Sequence, residues 1–209
     1  MSRNMKYHSQ NKEAHFIINY FKGYTGTLFD IGANDGITFS NSYDLININW
    51  DAHLFEPSSV YSKLLQLHGE KSHVRLNNFG LSDKCETLKF WESEAHVPNG
   101  NDYGLVSTTV FEETKRWPDV KFHEKEIMLT AFNDYWGYIG KPVIDFISLD
   151  VEGMEMQILR SIDLAEIGCK CLCLEWNGNR DVLIEAVQIC NANYMKLTHQ
   201  NAENLIFTI

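Results

Sequence analysis

The stretch Thr27-Leu28-Phe29-Asp30-Ile31-Gly32-Ala33-Asn34-Asp35-Gly36 constrains the chain most, because a short apolar run breaks there into a loop set by two glycines. The run reads as a strand, the loop as a turn and the residues beyond as a helix. Glycine accepts positive φ and lets a ligand approach the backbone with no Cβ in the way. A βα turn of this kind suits a nucleotide-like ligand. The alternative is a tight connection without a ligand, since a glycine pair alone is a weak signal.

The spacing narrows the ligand. Dinucleotide sites use G-x-G-x-x-G and rest an anionic pyrophosphate on a helix N-terminus. Here the spacing is Gly32-x-Asn34-x-Gly36, with Asp30 at the mouth of the loop. Its carboxylate repels a pyrophosphate and attracts a cation such as the ammonium of a methionine moiety. S-adenosylmethionine (SAM) therefore fits better than NAD. A second acid supports the reading: the strand Ala52 to Phe55 ends in Glu56-Pro57, about twenty residues past Gly36, where the acid of a βαβ nucleotide site reaches the ribose hydroxyls. Glu56 as a first-turn acid favoured by the helix dipole is the bland alternative. Pro57 opens a helix whose Val60, Leu64 and Leu67 face inward.

The remaining elements follow from periodicity. Lys12 to Lys22 carries Phe16, Ile17, Tyr20 and Phe21 at helical spacing, and Phe39, Tyr43 and Ile46 predict a helix leading out of the first strand. His73 to Asn78 and Thr87 to Trp91 read as strands. Glu92 to Glu126 is irregular, with Pro98, Gly100, Gly104 and Pro118 among His96, Tyr103, Ser107, Thr108, Trp117 and His123, the composition of a lid, a binding loop or a mobile segment. Lys141 to Leu149 is a buried strand ending in Asp150-Val151-Glu152-Gly153, followed by a helix with Met154, Ile158, Leu159 and Ile162 inward. Cys169 to Leu174 is another strand, ending in Glu175-Trp176-Asn177, and acids at such strand ends sit where open α/β sheets bind ligands. Asp181 to Cys190 is an amphipathic helix, and Tyr194 to Thr198 pairs with Asn204 to Thr208 as a hairpin. This alternation predicts an α/β fold. One domain is expected over residues 1–209, with an N-terminal helical segment at 1–24 and the lid or insertion at 92–126. His53, His68 and His73 stand alone and read as structural or solvated.

Charge and cysteines exclude several functions. A net charge of -10 with no more than two adjacent basic residues argues against nucleic acid and for a small or neutral acceptor. The five cysteines form no disulfide framework. Cys169, Cys171 and Cys173 alternate along one strand, so their thiols should share one face as buried, reduced groups. Met1 to His15 is polar and no apolar run approaches the ~20 residues of a membrane span, so no membrane partner and a cytoplasmic location are expected. Nothing in these features sets the oligomeric state.

Four motifs in this order, Asp30-Ile31-Gly32-Ala33-Asn34-Asp35-Gly36, Phe55-Glu56-Pro57, Leu81-Ser82-Asp83 and Leu149-Asp150-Val151-Glu152-Gly153-Met154-Glu155, resemble the signature of the FkbM family of SAM-dependent methyltransferases. The resemblance implies a Rossmann-like class I methyltransferase fold: a seven-stranded, mostly parallel sheet with a reversed C-terminal strand and helices on both faces. It also implies O-methylation of sugars or other small metabolites. By motif matching, Asp30, Gly32, Asn34 and Gly36 surround the methionine part of SAM, Glu56 the ribose and Asp83 with its neighbours the adenine, while Asp150 and Glu152 line the acceptor side. Many relatives carry a Lys two residues ahead of this acid, where this chain has Ser148, so roles given to that Lys do not transfer.

Methyl transfer from a sulfonium is an in-line displacement with a neutral leaving group, so the protein must align the nucleophile and, for a hydroxyl, remove its proton. Asp150, Glu152 and Glu175 are the catalytic candidates, with His96 and His123 as loop alternatives. No metal ligand set is assigned, although converging carboxylates would also suit Mg²⁺. An NAD-dependent oxidoreductase and a non-catalytic SAM-binding or interaction module are the competing functions.

Overall fold

The computed structural model describes residues 7–96 and 103–209. Pro98 and Gly100 of the expected lid and the first six residues of the N-terminal segment lie outside the described residues. α1 (Glu13–Phe21) leads into β1 (Thr27–Ile31), and the short α2 (Tyr43–Ile46) precedes β2 (Asp51–Phe55), α3 (Tyr61–His68) and β3 (Val74–Asn77). A middle segment holds β4 (Gly80–Ser82), β5 (Glu86–Ser93), α4 (Phe111–Thr114), β6 (Phe122–Ala131) and α5 (Phe132–Tyr138). Then come β7 (Phe146–Leu149), α6 (Glu155–Arg160), β8 (Cys171–Glu175), α7 (Arg180–Ala192), β9 (Lys196–Gln200) and β10 (Asn204–Thr208).

The main sheet has seven strands in the order β3-β2-β1-β7-β8-β10-β9. Its registered pairs are parallel except where β10 runs against β8 and β9. The expected hairpin and reversed C-terminal strand are therefore both present. Central strands covered on both faces need apolar residues at successive positions, which is why these strands lack a polar face. Alternation splits their side chains between two cores. Leu28, Leu54, Phe146, Cys173 and Ile206 pack with Ile17 and Phe21 of α1 and Leu64 of α3. Phe29, Phe55, Ile147, Leu174 and Phe207 pack on the other side with α5, α6 and α7 through Phe132, Ile158 and Cys190. A smaller sheet, β4-β6-β5, adjoins the second core through Leu81, Phe90 and Leu129.

Several expectations need correction. Phe39, Tyr43 and Ile46 do not form one helix: Asp35 accepts the amides of Ile37 and Thr38 at 3.0 and 2.8 Å and the Thr38 hydroxyl at 2.7 Å. Such side-chain capture of backbone donors competes with helix formation. Phe39 is left exposed at φ 56, and the helix begins only at Tyr43. Pro57 does not start the next helix, which begins at Tyr61, and Leu67 is only half-buried while His68 is buried. Cys169 precedes β8 and packs in the core opposite Cys171 and Cys173, so only the latter two share a face. The irregular segment expected over 92–126 is shorter, since β5 reaches Ser93 and β6 starts at Phe122.

Gly32 fixes the distance between two loops of the main sheet. It sits at φ 93, and a Cβ there would lie 1.7 Å from the carbonyl oxygen of Asp150. Gly23, at φ 86, has no neighbour within 4 Å of its would-be Cβ. Gly23→Ala should cost about 1 kcal/mol, the left-handed backbone term alone. Gly32→Ala should cost more than about 3 kcal/mol, because backbone must move as well. Urea unfolding of both variants checks the difference, and equal losses would contradict it.

Candidate active site

Parallel strands bring their carboxyl ends to one edge of the sheet, so Gly32, Glu56, Asp150 and Glu175 arrive together from β1, β2, β7 and β8. Backbone bonds stitch this edge. The amides of Gly32 and Ala33 donate to the Phe55 carbonyl at 3.1 and 3.0 Å, and the Asp150 amide donates to the Ile31 carbonyl at 3.0 Å. Glu56 is buried, and its two oxygens accept the amides of Asn34 at 2.8 Å and Ser58 at 2.7 Å. Burial raises its pKa, and those donors hold it back. The Ser58 hydroxyl is a further donor to this carboxylate. Asp30 is 5 % exposed and accepts the Ser42 hydroxyl. Burial pushes it up to about 6, opposed by Ser42 and assisted by Glu56.

Two adjoining clefts open on this edge. The first, of about 680 Å³, is largely apolar, with Phe55, Leu81, Phe90 and Leu129 around Glu56. The second, of about 1010 Å³, is polar, with Asp30, Asn41, Ser148, Glu175 and Asn204 in its wall. Gly32, Asn34, Leu105, Asp150 and Glu152 border both. An extended ligand with an apolar and a charged end could therefore lie across the boundary, and these volumes are of the size that small-molecule sites occupy.

Four acids gather where the clefts meet. Glu155 is buried and already committed: it accepts the Val151 amide at 2.9 Å and the Gly153 amide at 3.1 and 3.0 Å, clamping its own loop. Asp150, Glu155 and Glu175 each place one oxygen within 4.8 Å of the others. A group so close must hold a proton or a cation among its members. Burial, then Glu155, raises Asp150 to about 7, while a hydrogen bond from Glu175 lowers it. Glu175 is pushed well up by burial and by Asp150, Glu152 and Glu155. Burial and mutual repulsion thus favour the protonated forms at this junction. Glu152 is also raised well above its ordinary value, by burial and then Asp150, with Arg116 opposing. The Arg116 guanidinium itself pairs with Glu113 at 2.7 Å.

The clefts collect Asp30, Gly32, Asn34, Glu56, Asp150, Glu152 and Glu175 from the sequence-derived candidates, along with His96. Gly36 and Asp83 line neither. A Cβ on Gly36 would meet Leu64 of α3 at 2.5 Å, so this glycine serves packing. Asp83 is exposed and accepts the Gln157 amide at 2.7 Å. His123 lies on β6 and pairs with Glu94 at 2.9 Å, away from both clefts. Ser148 is buried and accepts the Asn41 amide at 3.3 Å. Leu105 and Arg116 were not legible as site residues, because neither has a motif and both come from the irregular segment.

The strand order, the single reversed strand and the ligand edge with its glycine loop define the Rossmann-like methyltransferase class. The family described as "Methyltransferase FkbM domain" matches residues 30–196, well over half of the chain, and the chain belongs to that family. Its chemistry is methyl transfer, which requires a methyl donor. No curated protein matches the sequence. Among solved structures, the chain is similar to a precorrin-6y C5,15-methyltransferase from Geobacter metallireducens, with 14% identity, TM-score 0.49 and coverage of 99% of this chain and 92% of that one. It is also similar to a chain of a fibrillarin/Nop5p complex, with 13% identity, TM-score 0.43 and coverage of 88% and 71%. Among the described residues no helix is long and apolar enough to cross a membrane.

The raised acids make stability depend on pH. Asp150 ionises in the unfolded chain near the ordinary carboxylate value of 3.8 but in the folded protein only at about 7. Between those values the folded state binds the extra proton, so its advantage is complete below the lower value and is lost as pH rises through the upper one. His53, lowered to about 4 by burial and Arg75, works oppositely below its usual 6.5. Comparing wild type with Asp150→Asn removes that second effect. The Tm of the variant should gain on wild type steadily from about pH 5 to about pH 7 and then stay level. A Tm difference independent of pH would contradict the assignment.

Proposed function

We propose that the protein is a SAM-dependent O-methyltransferase acting on a small hydroxylated acceptor such as a sugar. The observation that carries the reading is the Asp150–Glu175 pair at the cleft boundary, with Asp150 raised to about 7. A general base works best when its pKa lies near the working pH. An oxygen nucleophile is the acceptor type that needs such a base, because a hydroxyl must give up its proton as it attacks.

Bound SAM supplies an electrophilic methyl group on a sulfonium. The protein's own residues do the rest. Glu56, fixed in the cleft wall by Asn34 and Ser58, takes the ribose hydroxyls, and the apolar first cleft suits adenine. Asp30 and the polar second cleft suit the charged methionine end. Asp150 takes the acceptor proton, and Glu152 stabilises the protonated form nearby. Acceptor charge follows from the lining: Asp30, Asp150, Glu152, Glu175 and Glu203 face the second cleft, while its Arg116 already pairs with Glu113. Anionic acceptors, nucleic acid included, are disfavoured there. Glu155 accepts three bonds from its own loop, which favours a metal-free base over a Mg²⁺ site.

Calorimetry with SAM or its demethylated product, S-adenosylhomocysteine, tests the donor. Asp30→Ala and Glu56→Gln should each weaken binding more than tenfold, about 1.4 kcal/mol. Unchanged affinity in both would remove the assignment. An acceptor screen read by S-adenosylhomocysteine release tests the chemistry. With the acceptor found, Asp150→Asn should lose about 10²-fold or more in turnover, the ordinary worth of a general base. Turnover should be indifferent to EDTA, and loss on chelation would instead place a metal among the carboxylates.

A further inference from the structure

Tyr103–Val110 crosses the ligand edge as a strap fastened at both ends. At one end the Asn34 side-chain amide reaches the Tyr103 carbonyl at 3.4 Å, and Gly104 lies so close to the N-cap of α3 that a Cβ would meet Val60 at 2.7 Å. The strap is also tied to β5: the Gly104 amide donates to Ser93 at 3.1 Å, and Thr108 exchanges backbone bonds with Trp91 at 2.8 and 3.1 Å. At the other end three residues dock on three. The Thr108 hydroxyl donates to the Glu152 carbonyl at 2.6 Å, Thr109 donates to the Met154 sulfur, and Val110 packs where a Cβ on Gly153 would approach it to 3.3 Å.

This docking meets the catalytic loop at its least favourable backbone. Glu152 has φ 56 and Gly153 φ 115. A non-glycine residue in the left-handed region is strained and persists only when its surroundings hold it. Thr108 is 1 % exposed, and its hydroxyl oxygen is fixed in turn by the Val110 amide at 2.9 Å. The Glu152 carbonyl is the nearer of its two acceptors, the Val110 carbonyl lying at 3.5 Å. Glu155 holds the same loop from beneath through Val151 and Gly153. Leu105, in mid-strap, borders both clefts.

We propose that Thr108 is a positioning residue, whose hydroxyl keeps Glu152 in the left-handed conformation that turns its carboxyl into the cleft. The proposal rests on the methyltransferase reading for its consequence, since only there does the direction of Glu152 matter. The strap thus joins the donor loop at Asn34 to the acid loop at Glu152 in one continuous piece.

The test is amide hydrogen exchange at Val151 and Gly153 in the full chain, beside calorimetry with S-adenosylhomocysteine. Thr108→Val keeps the shape and loses the donor. It should speed exchange at both amides at least tenfold, leave the amides of β1 within twofold, and change S-adenosylhomocysteine affinity less than threefold. Thr108→Ser restores the hydroxyl and should restore protection. Thr109→Val, on the same strap, should leave Val151 and Gly153 as in wild type. Should Thr108→Val fail to fold, the serine variant carries the test, and loss of protection in it overturns the proposal. Unchanged exchange in Thr108→Val, or equal acceleration across β1, also overturns it. If wild type does not bind S-adenosylhomocysteine, the donor reading fails while the exchange comparison still decides the strap.

Discussion

The contact on which the site depends is the approach of Gly32 to the Asp150 carbonyl. No side chain fits between the β1 loop and the β7 loop, with a would-be Cβ at 1.7 Å. In the proposed function these are the donor loop and the proton-accepting loop, and they are set against each other by backbone alone. Backbone contacts have few alternatives, so this arrangement is stiffer than one built from long side chains would be.

Around that contact the acids divide into those that build and those left over for chemistry. Glu56 and Glu155 each accept backbone amides and close a loop, and Asp30 takes the Ser42 hydroxyl. Asp150, Glu152 and Glu175 are held near one another at higher than ordinary pKa by burial and mutual repulsion. A folded protein keeps such an unfavourable group only where the rest of the structure over-determines it. Here the stitching of β1 to β2 and β7, the Glu155 clamp and the strap from β5 supply that excess.

What the sequence made legible follows from the same division. Strands buried on both faces declare themselves as apolar runs, and the acids that end them stand out as the first polar residues, so Glu56, Asp150 and Glu175 could be placed at one edge before any coordinates. The reversed C-terminal strand was readable as a hairpin. Local side-chain chemistry was not: Asp35 captures two amides and diverts Phe39 from the helix its spacing suggests. β6 hides as well, because Phe122-His123-Glu124-Lys125-Glu126 is polar and only its second half meets the core. Cys169 broke the alternation since the strand starts two residues later. The strap reads only as irregular sequence, and its meaning lies in contacts with residues more than forty positions away, such as Thr108 with Glu152.

The proposed chemistry requires one ligand spanning two clefts across the Gly32–Asp150 boundary. A crystal structure with S-adenosylhomocysteine bound measures this directly. It should show the ribose hydroxyls on Glu56, the adenine among Phe55, Leu81 and Leu129, and the amino-acid end beside Asp30, with the sulfur at the boundary near Asp150. S-adenosylhomocysteine seated instead in the polar groove between Arg160, Trp176 and Asp181, with Glu56 untouched, would contradict it.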